Sequence, residues 1–447
     1  MIEEFLNFFS DIDAFAMIML VLVIFIGVCV FSFASRYMRG DTKYHLFCIR
    51  LILLIFSVSV TISADNLIIL FFSWCLSNTL LVFLMIHKSN WKAARASGMI
   101  ALKNYLLGAL CLGTAFTIFY LVTGEKNVKA ILNHDAESIP ILLSLILMLI
   151  GAMTQSAIWP FHRWLNSSLN SPTPVSAIMH AGLVNGGGLI LVRFAPLYLQ
   201  YPSLLTVIFI IGITTALIGI LWKLMQSDVK RMLAASTMGQ MGFMLAQCGL
   251  GLFPAAVAHL VWHGMFKSYL FLASGSAAQE KRFDLGYPPN FFTFICALLC
   301  GVVGSIGFGY ASGKSWLAND STLVLMVVSL LASTQLVIPI MRDKSKKVLL
   351  LALVSTLLAG LAYGGSVQLI TGTMKSMNLM VPQPLNVFHI IGIIALTSTW
   401  IWILFIRNQD RAAYFSQFAL KYYVAALNSS QPHASTITAY RNHYKYQ

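Results

Sequence analysis

In the segment AHLVWHGMFKSYLFL, His259, His263 and Lys267 follow one another at i, i+4 and i+8. On an α-helix that spacing sets all three on one face, each within reach of the next through a side chain or a water. Imidazole titrates near neutrality and a desolvated lysine can fall towards it, so such a row can relay protons. Two plainer readings stand beside this one: histidines satisfied within a core, and a metal held by His-x3-His. Against the metal, the next ligand-spaced position is a lysine, which repels a cation and cannot ligate while protonated. Against the plain core, three ionisable groups stacked in one apolar helix are costly unless they face an interior path.

The elements around that row must be membrane spans. Of 447 residues 58% are hydrophobic and only 10% are charged, whereas a soluble domain carries about 25% charged residues. Soluble enzyme classes are excluded, because 29 basic and 15 acidic residues cannot cover domains of this total size. The net charge of +14 does not indicate nucleic acid, since the bases are spread over short loops rather than gathered in one patch. Cys29, Cys48, Cys75, Cys111, Cys248, Cys296 and Cys300 include no CxxC pair, so no disulfide framework, zinc site or iron–sulfur site is expected. No cofactor is expected. Residues 1–14 carry Glu3, Glu4, Asp11 and Asp13 and no basic segment, unlike a cleavable signal.

The hydropathy pattern divides into thirteen apolar runs, at about 14–35, 44–64, 66–87, 97–123, 138–168, 173–196, 203–224, 229–249, 253–276, 290–313, 318–341, 347–371 and 385–406. Continuous rather than alternating hydrophobicity excludes a β-barrel. With the N-terminus outside, the inner loops hold Arg36, Arg39 and Lys43; Lys88, Lys92 and Arg95; Lys281 and Arg282; and Arg342, Lys344, Lys346 and Lys347. The outer loops are poorer, with Lys126 and Lys129 offset by Glu125, Asp135 and Glu137. The positive-inside bias therefore places the C-terminus in the cytoplasm and the chain, as a multi-pass protein, in the cell inner (plasma) membrane. The tail from Arg407 carries Tyr414, Phe418, Tyr422 and Tyr423 and ends with Arg441 and Lys445. It is expected to lie along the membrane lipid or to dock on a partner, with disorder beyond about Ser430 as the alternative.

Ionisable groups inside or capping these runs are mostly basic: Arg50, Lys103, His180, Arg193, Lys230, Arg231 and His389 join the three of the row. Only Asp65, Asp228 and Asp320 oppose them, each at a run's end, and no glutamate lies within a run. Lys230, at the inner end of its run, also fits the positive-inside bias alone. Pro160 interrupts one run and frees backbone groups that only protein or cavity water can satisfy. Gly301, Gly304, Gly307, Gly309 and Gly313 weaken a helix at a corresponding place in a second half, a pairing that points to inverted repeats, with close packing as the alternative. Gly186, Gly187 and Gly188 are read as packing only.

Four segments in order, ADNLIILFFSW (64–74), SPTPVSAIMHAG (171–182), SDVKRMLAASTMGQMGFM (227–244) and HLVWHGMFKSYLFLASGS (259–276), resemble the proton-conducting antiporter-like subunits of complex I, Mrp cation/proton antiporters and membrane-bound hydrogenases. The resemblance covers roughly the middle half of the chain. It implies an all-α polytopic fold with two inverted five-helix repeats, each with a broken helix, at 64–196 and 203–341. Helices at 1–63 and 347–406 flank them, and 407–447 forms the cytoplasmic tail. It also implies a hydrated proton pathway in which Lys103, His180, Lys230, His259, His263 and Lys267 take part. Three family positions differ: the acidic residue after the first motif's tryptophan is Cys75, the broken-helix lysine is Gln155, and near the second break Ala311 or Ser312 stands with Lys314 displaced. The chain also begins about two helices late and lacks the long lateral helix. In this it is similar to the membrane subunit of DAB inorganic-carbon transporters, which implies a large cytoplasmic, zinc-containing, carbonic-anhydrase-like partner of the DabA type. A proton-translocating role in a redox complex, hydrogenase or Mrp antiporter is the alternative.

The ligand argument names the ion. Sodium needs several hard oxygen ligands, and no run interior offers a carboxylate, so H+ is expected. A protonophore should abolish transport and sodium removal should not; ion-flux assays giving the opposite pattern would reverse the assignment.

Overall fold

The computed structural model describes residues 13–134, 138–278, 288–342, 346–406 and 417–437. In chain order its helices are α1 Ala14–Tyr37, α2 Tyr44–Ser63, α3 Leu67–Met85, α4 Lys92–Thr123, α5 Val128–Leu132, α6 Ile139–Gln155, α7 Arg163–Asn166, α8 Thr173–Ala181 and α9 Gly186–Arg193. They continue as α10 Ala195–Tyr198, α11 Pro202–Leu224, α12 Val229–Gly249, α13 Phe253–Leu272, α14 Phe291–Ser312, α15 Thr322–Val337, α16 Lys346–Thr373, α17 Val387–Ile406 and α18 Gln417–Ser430. The fold is all-α, as composition required. Among the described residues nine helical stretches are long and apolar enough to cross a membrane: α1 to α4, the combined 173–193, α11, α14, 347–373 and 387–405. The other expected spans fall on the shorter α6 and α15 and on α12 and α13, whose polar residues lower their hydropathy. Lys281, Arg282, Lys344, Asp135, Glu137, Tyr414, Arg441 and Lys445 lie outside the described residues.

Polar side chains start the helices where the runs break. Asp13 caps α1 by accepting from the Ala16 amide, Asn66 caps α3, Asp228 caps α12 and Asn290 caps α14. Each satisfies an amide that the first helical turn leaves unpaired. Gly124 and Gly313, at φ 73° and 68°, close α4 and α14 in the left-handed conformation.

The helix does break before Pro160, and side chains meet the backbone groups that the break frees at Thr154 and Val184. Helix α6 stops at Gln155, and the Thr154 carbonyl accepts from Asn104 Nδ2 at 2.8 Å and from the Trp164 indole at 3.0 Å. The Ser156 hydroxyl donates to the Val184 carbonyl at 2.7 Å. In the second half the helix ends at Gly313 rather than at the glycines before it. Helix α14 runs uninterrupted from Phe291 to Ser312, and its glycines are contact points instead. A Cβ on Gly301 would sit 2.0 Å from the Thr334 hydroxyl, and one on Gly360 of α16 would sit 2.0 Å from the Gly304 carbonyl. In hydrocarbon no water competes for the helix hydrogen bonds, so glycine serves close approach rather than interruption. Gly187 packs as read from sequence, with a Cβ there falling 2.3 Å from the Ala152 carbonyl.

Helix α13 stands at the centre, packed on α8, α1, α12 and α16. Arg193 staples the C-terminal end of α9 to its neighbours, donating to the Ile62 carbonyl at 2.8 Å and lying 3.6 Å from Asp13. From Ser430 to Thr436, within the stretch where disorder was the alternative, the chain is held on its own basic face. Gln226 Nε2 donates to Ser430 Oγ at 2.9 Å and Arg231 to the Gln431 side chain at 3.1 Å. The His433 amide donates to Ser167 Oγ at 3.0 Å and Asn170 Nδ2 to the Thr436 carbonyl at 2.9 Å.

The α11/α12 seam generates a stability prediction. A Cβ on Gly242 would lie 2.5 Å from the Ala216 amide nitrogen, backbone that cannot yield, whereas Gly365 has nothing within 4 Å. Gly242→Leu should destabilise by about 1–3 kcal/mol or more, while Gly365→Ala should be near neutral. Thermal unfolding in detergent checks both, and equal melting of the two variants would refute the seam's importance.

Candidate ion pathway

The row read from the sequence forms as spaced. His259, His263 and Lys267 are all buried on α13, and the two imidazoles lie nearly parallel, centroids 6.0 Å apart at 17°. Phe243 meets the His259 ring edge-on at 5.4 Å. The Nε2 atoms of His259 and His263 are buried with no hydrogen-bond partner among the described residues. A polar atom left so costs about 1–3 kcal/mol, so both nitrogens favour a water or a proton in transit.

Lys267 Nζ donates to the Leu233 carbonyl at 3.1 Å, in the first turns of α12. The same carbonyl accepts from the Thr237 hydroxyl at 2.9 Å, and Thr237 Oγ1 lies 3.1 Å from His180 Nδ1. A hydroxyl has one proton, so whenever Thr237 gives it to Leu233 the Nδ1 of His180 is the donor of the pair. His180 also stacks on Phe271 at 4.2 Å and 19°. One short run of polar contacts thus joins α8 of the first half to α12 and α13 of the second. His263 is within electrostatic range of Lys267, His259 and His180, and His180 of Lys267 and Lys230. Half-buried Lys230 donates to the Ser171 carbonyl at 3.4 Å, towards the basic face.

Lys103 is not brought to this group. It is exposed on α4, and the twenty residues that follow it to Thr123 span about 30 Å at 1.5 Å each. That is the thickness of the hydrocarbon core, so Lys103 sits where a long side chain reaches the headgroups. Its spacing in the sequence could not say which face of α4 turns inward.

The first half holds neutral groups where the family resemblance implies charge. Gln155 is buried at the helix break and donates from Nε2 to Asn78 Oδ1 at 3.0 Å and to the Leu183 carbonyl at 3.2 Å. Asn78, one turn beyond Trp74, was missed by the sequence reading; an amide four residues after a tryptophan in an apolar run was the available signal. Asn185 was also missed. Its Nδ2 donates to the Ala181 carbonyl at 2.9 Å and reaches the Leu260 carbonyl of α13 at 3.5 Å. A cavity of about 30 Å³ lies between these amides, lined by Trp74, Ser77, Gln155 and Asn185. The seven cysteines are free, and among the described residues no group of three or more His, Cys, Asp or Glu could hold a metal.

The carboxylates stay at helix ends. Asp65 accepts from the Lys129 amide, Asp228 from Arg231 and Asp320 from Thr322. Lys267 of the row therefore donates to a main-chain carbonyl rather than to a carboxylate.

A family model described as NADH:quinone oxidoreductase/Mrp antiporter, TM, matches residues 64–287, and one described as NADH-Ubiquinone oxidoreductase (complex I), chain 5 N-terminus, matches residues 6–48. The chain belongs to this family of antiporter-like membrane subunits. Among its relatives is the probable inorganic carbon transporter subunit DabB1 of Halothiobacillus neapolitanus, 36% identical over 62% of this chain and 51% of that one. The corresponding DabB of Bacillus subtilis is 35% identical over 67% of this chain and 60% of that one. The chloroplastic NAD(P)H-quinone oxidoreductase subunit 5 of Poa pratensis is 31% identical over 64% and 42%. The chain thus spans between half and three fifths of the length of these DabB relatives. Its fold resembles a chain in the structure of the Mrp complex from Dietzia sp. DQ12-45-1b, with TM-score 0.62 over 93% of this chain and 52% of that one at 21% identity.

The geometry separates the two halves by what each can hold. His263→Ala opens a gap of two helical turns, about 11 Å, that only inserted water could bridge, and Lys267→Ala removes the row's contact with α12. Each should reduce proton flux about a hundredfold, whereas Gln155→Ala and Cys75→Ala should keep most of it. Flux at matched membrane abundance decides; the reverse pattern would move the route into the first half.

Proposed function

We propose that the chain is the proton-conducting membrane subunit of an energy-coupled inorganic-carbon uptake complex of the inner membrane. Protons passing through it drive CO2 hydration on a cytoplasmic, zinc-containing, carbonic-anhydrase-like partner. The supporting observation is the unequal pair of halves. The second keeps a buried row of titratable groups linked to His180, while the first has a neutral Gln155–Asn78 amide pair at its break. An amide pair cannot change charge, so a single charged relay remains to couple proton movement to work outside the membrane. The relatives named as DabB subunits support the same choice of substrate.

Within this reading Lys230 exchanges protons with the basic face, and Lys267, His180 and His263 pass them across the centre. His259 leads towards the outer face. The reading assigns the chain no catalytic residue of its own. A second reading, a subunit of a redox complex, hydrogenase or Mrp-type antiporter, is favoured by the fold shared with the Mrp complex chain and by the chloroplastic relative.

Co-expression with the neighbouring gene's product in a host without carbonic anhydrase tests the proposal. Growth in ordinary air is expected, and Lys267→Ala should abolish it. No growth with both proteins in the membrane counts against carbon uptake, and copurification with quinone-reducing or Mrp subunits would establish the second reading. Full activity of Lys267→Ala would leave the chain only an anchor for its partner.

A further inference from the structure

The basic face carries two adjoining hollows beside the inner end of the relay. One, about 420 Å³, is lined by Tyr37, Arg39, Asp41, Lys88, Trp91 and Ser171 among others. Ser171 is the residue whose carbonyl accepts from Lys230. The other, about 490 Å³, is lined by Asp41, Lys43, His87, Lys88 and their neighbours. Asp41 belongs to both walls. Its Oδ1 accepts from the Lys43 amide at 2.8 Å and lies 3.1 Å from His87 Nε2. Both contacts use Oδ1, leaving Oδ2 as the oxygen available to water. The His87 side chain is only 2% exposed, its ring meets Phe47 edge-on at 5.2 Å, and its Nδ1 has no partner among the described residues. One nitrogen of this imidazole thus lies on a carboxylate that lines both hollows, while the other is sealed inside.

We propose that Asp41 and His87 form a proton-exchange station at the basic-face mouth of the relay, passing protons between bulk water and Lys230. The inference rests on the relay reading above and adds to it the groups that collect and deliver its protons. On uptake, a proton from water passes through the Asp41 carboxylate to Nε2 of the neutral imidazole, which becomes an imidazolium held against that carboxylate. On release, the same proton returns through Asp41, which lines both hollows, to water over Ser171 and then to the unprotonated amine of Lys230. No other bond changes.

The setting fits the task. The Lys43 amide first, and then His87 and the charge of Lys88, hold the Asp41 carboxyl below the usual carboxylate range. The carboxylate therefore stays ionised near neutrality and stabilises the imidazolium rather than competing for its proton. Arg39, Lys43 and Lys88 are the other charged groups lining the hollows, all basic, and Tyr37 completes the wall nearest the break. Among the described residues the other carboxylate on this face, Asp228, caps α12.

The test is proton flux through the chain assembled with its partner in liposomes, with pH varied on one face at a time. Asp41→Asn and His87→Gln should each lower flux about tenfold and flatten its dependence on basic-face pH, leaving the response to outer pH intact. A concentrated impermeant buffer such as MES on the basic face should restore the rate, and Asp41→Glu should retain it. Unchanged flux would overturn the proposal. So would lost flux with an unaltered pH profile, no buffer rescue and a lowered melting temperature, which would make the pair a staple between two loops. Lys267→Ala run in parallel separates the two readings: wild-type flux there sinks the relay, whereas lost flux there with unaffected Asp41→Asn and His87→Gln sinks only the station.

Discussion

A buried ammonium with no carboxylate in reach among the described residues constrains everything around it. Lys267 is 1% exposed, and it donates to a main-chain carbonyl. Removing such a charge from water costs several kcal/mol unless dipoles replace the lost hydration. The Leu233 carbonyl of α12 provides such a dipole, and it also accepts from Thr237, which meets His180 of α8. The crossing of α8, α12 and α13 is therefore fixed by polar geometry as much as by apolar packing. A lysine solvated this way is not locked into its charged form, as it would be beside aspartate, so it can give up its proton and take it back.

The acids are placed consistently with this. Asp65, Asp228 and Asp320 each meet a backbone amide at a helix start, where a negative group is welcome. Held there, they cannot trap a proton at mid-membrane. The break after Gln155 follows the same economy of polar groups. Its loose carbonyl is met by two side chains, and its amide pairs with Asn78, so an interrupted helix persists in hydrocarbon with a neutral amide pair buried where the helix stops.

Much of this was legible in the sequence where the information is local. The stacking of His259, His263 and Lys267 follows from the helical repeat alone, and the break at Pro160 follows from proline chemistry. What escaped depends on partners distant in sequence. Asn78 gains its role from Gln155, 77 residues away, and Asn185 from Leu260, 75 residues away. Lys103 resembled its buried counterparts by position in the chain, yet the packing of α4 turned it outward. The glycines of 301–313 misled because the intuition that glycine weakens helices comes from water. Between helices in lipid, the same residue is what lets two backbones touch.

The end of the chain crosses a boundary that the helices do not. Residues 430–437 hold Gln226 and Arg231 of the second half and Ser167 and Asn170 of the first, all on one face. A strap tied across both halves sets a mechanical limit: rocking one half against the other, as alternating-access carriers do, would first have to tear these four contacts. Cargo that needs only side-chain rotation and a file of water does not strain the strap. The architecture is thus better matched to a fixed frame that hops small charges through itself than to a clamp that opens around a solute.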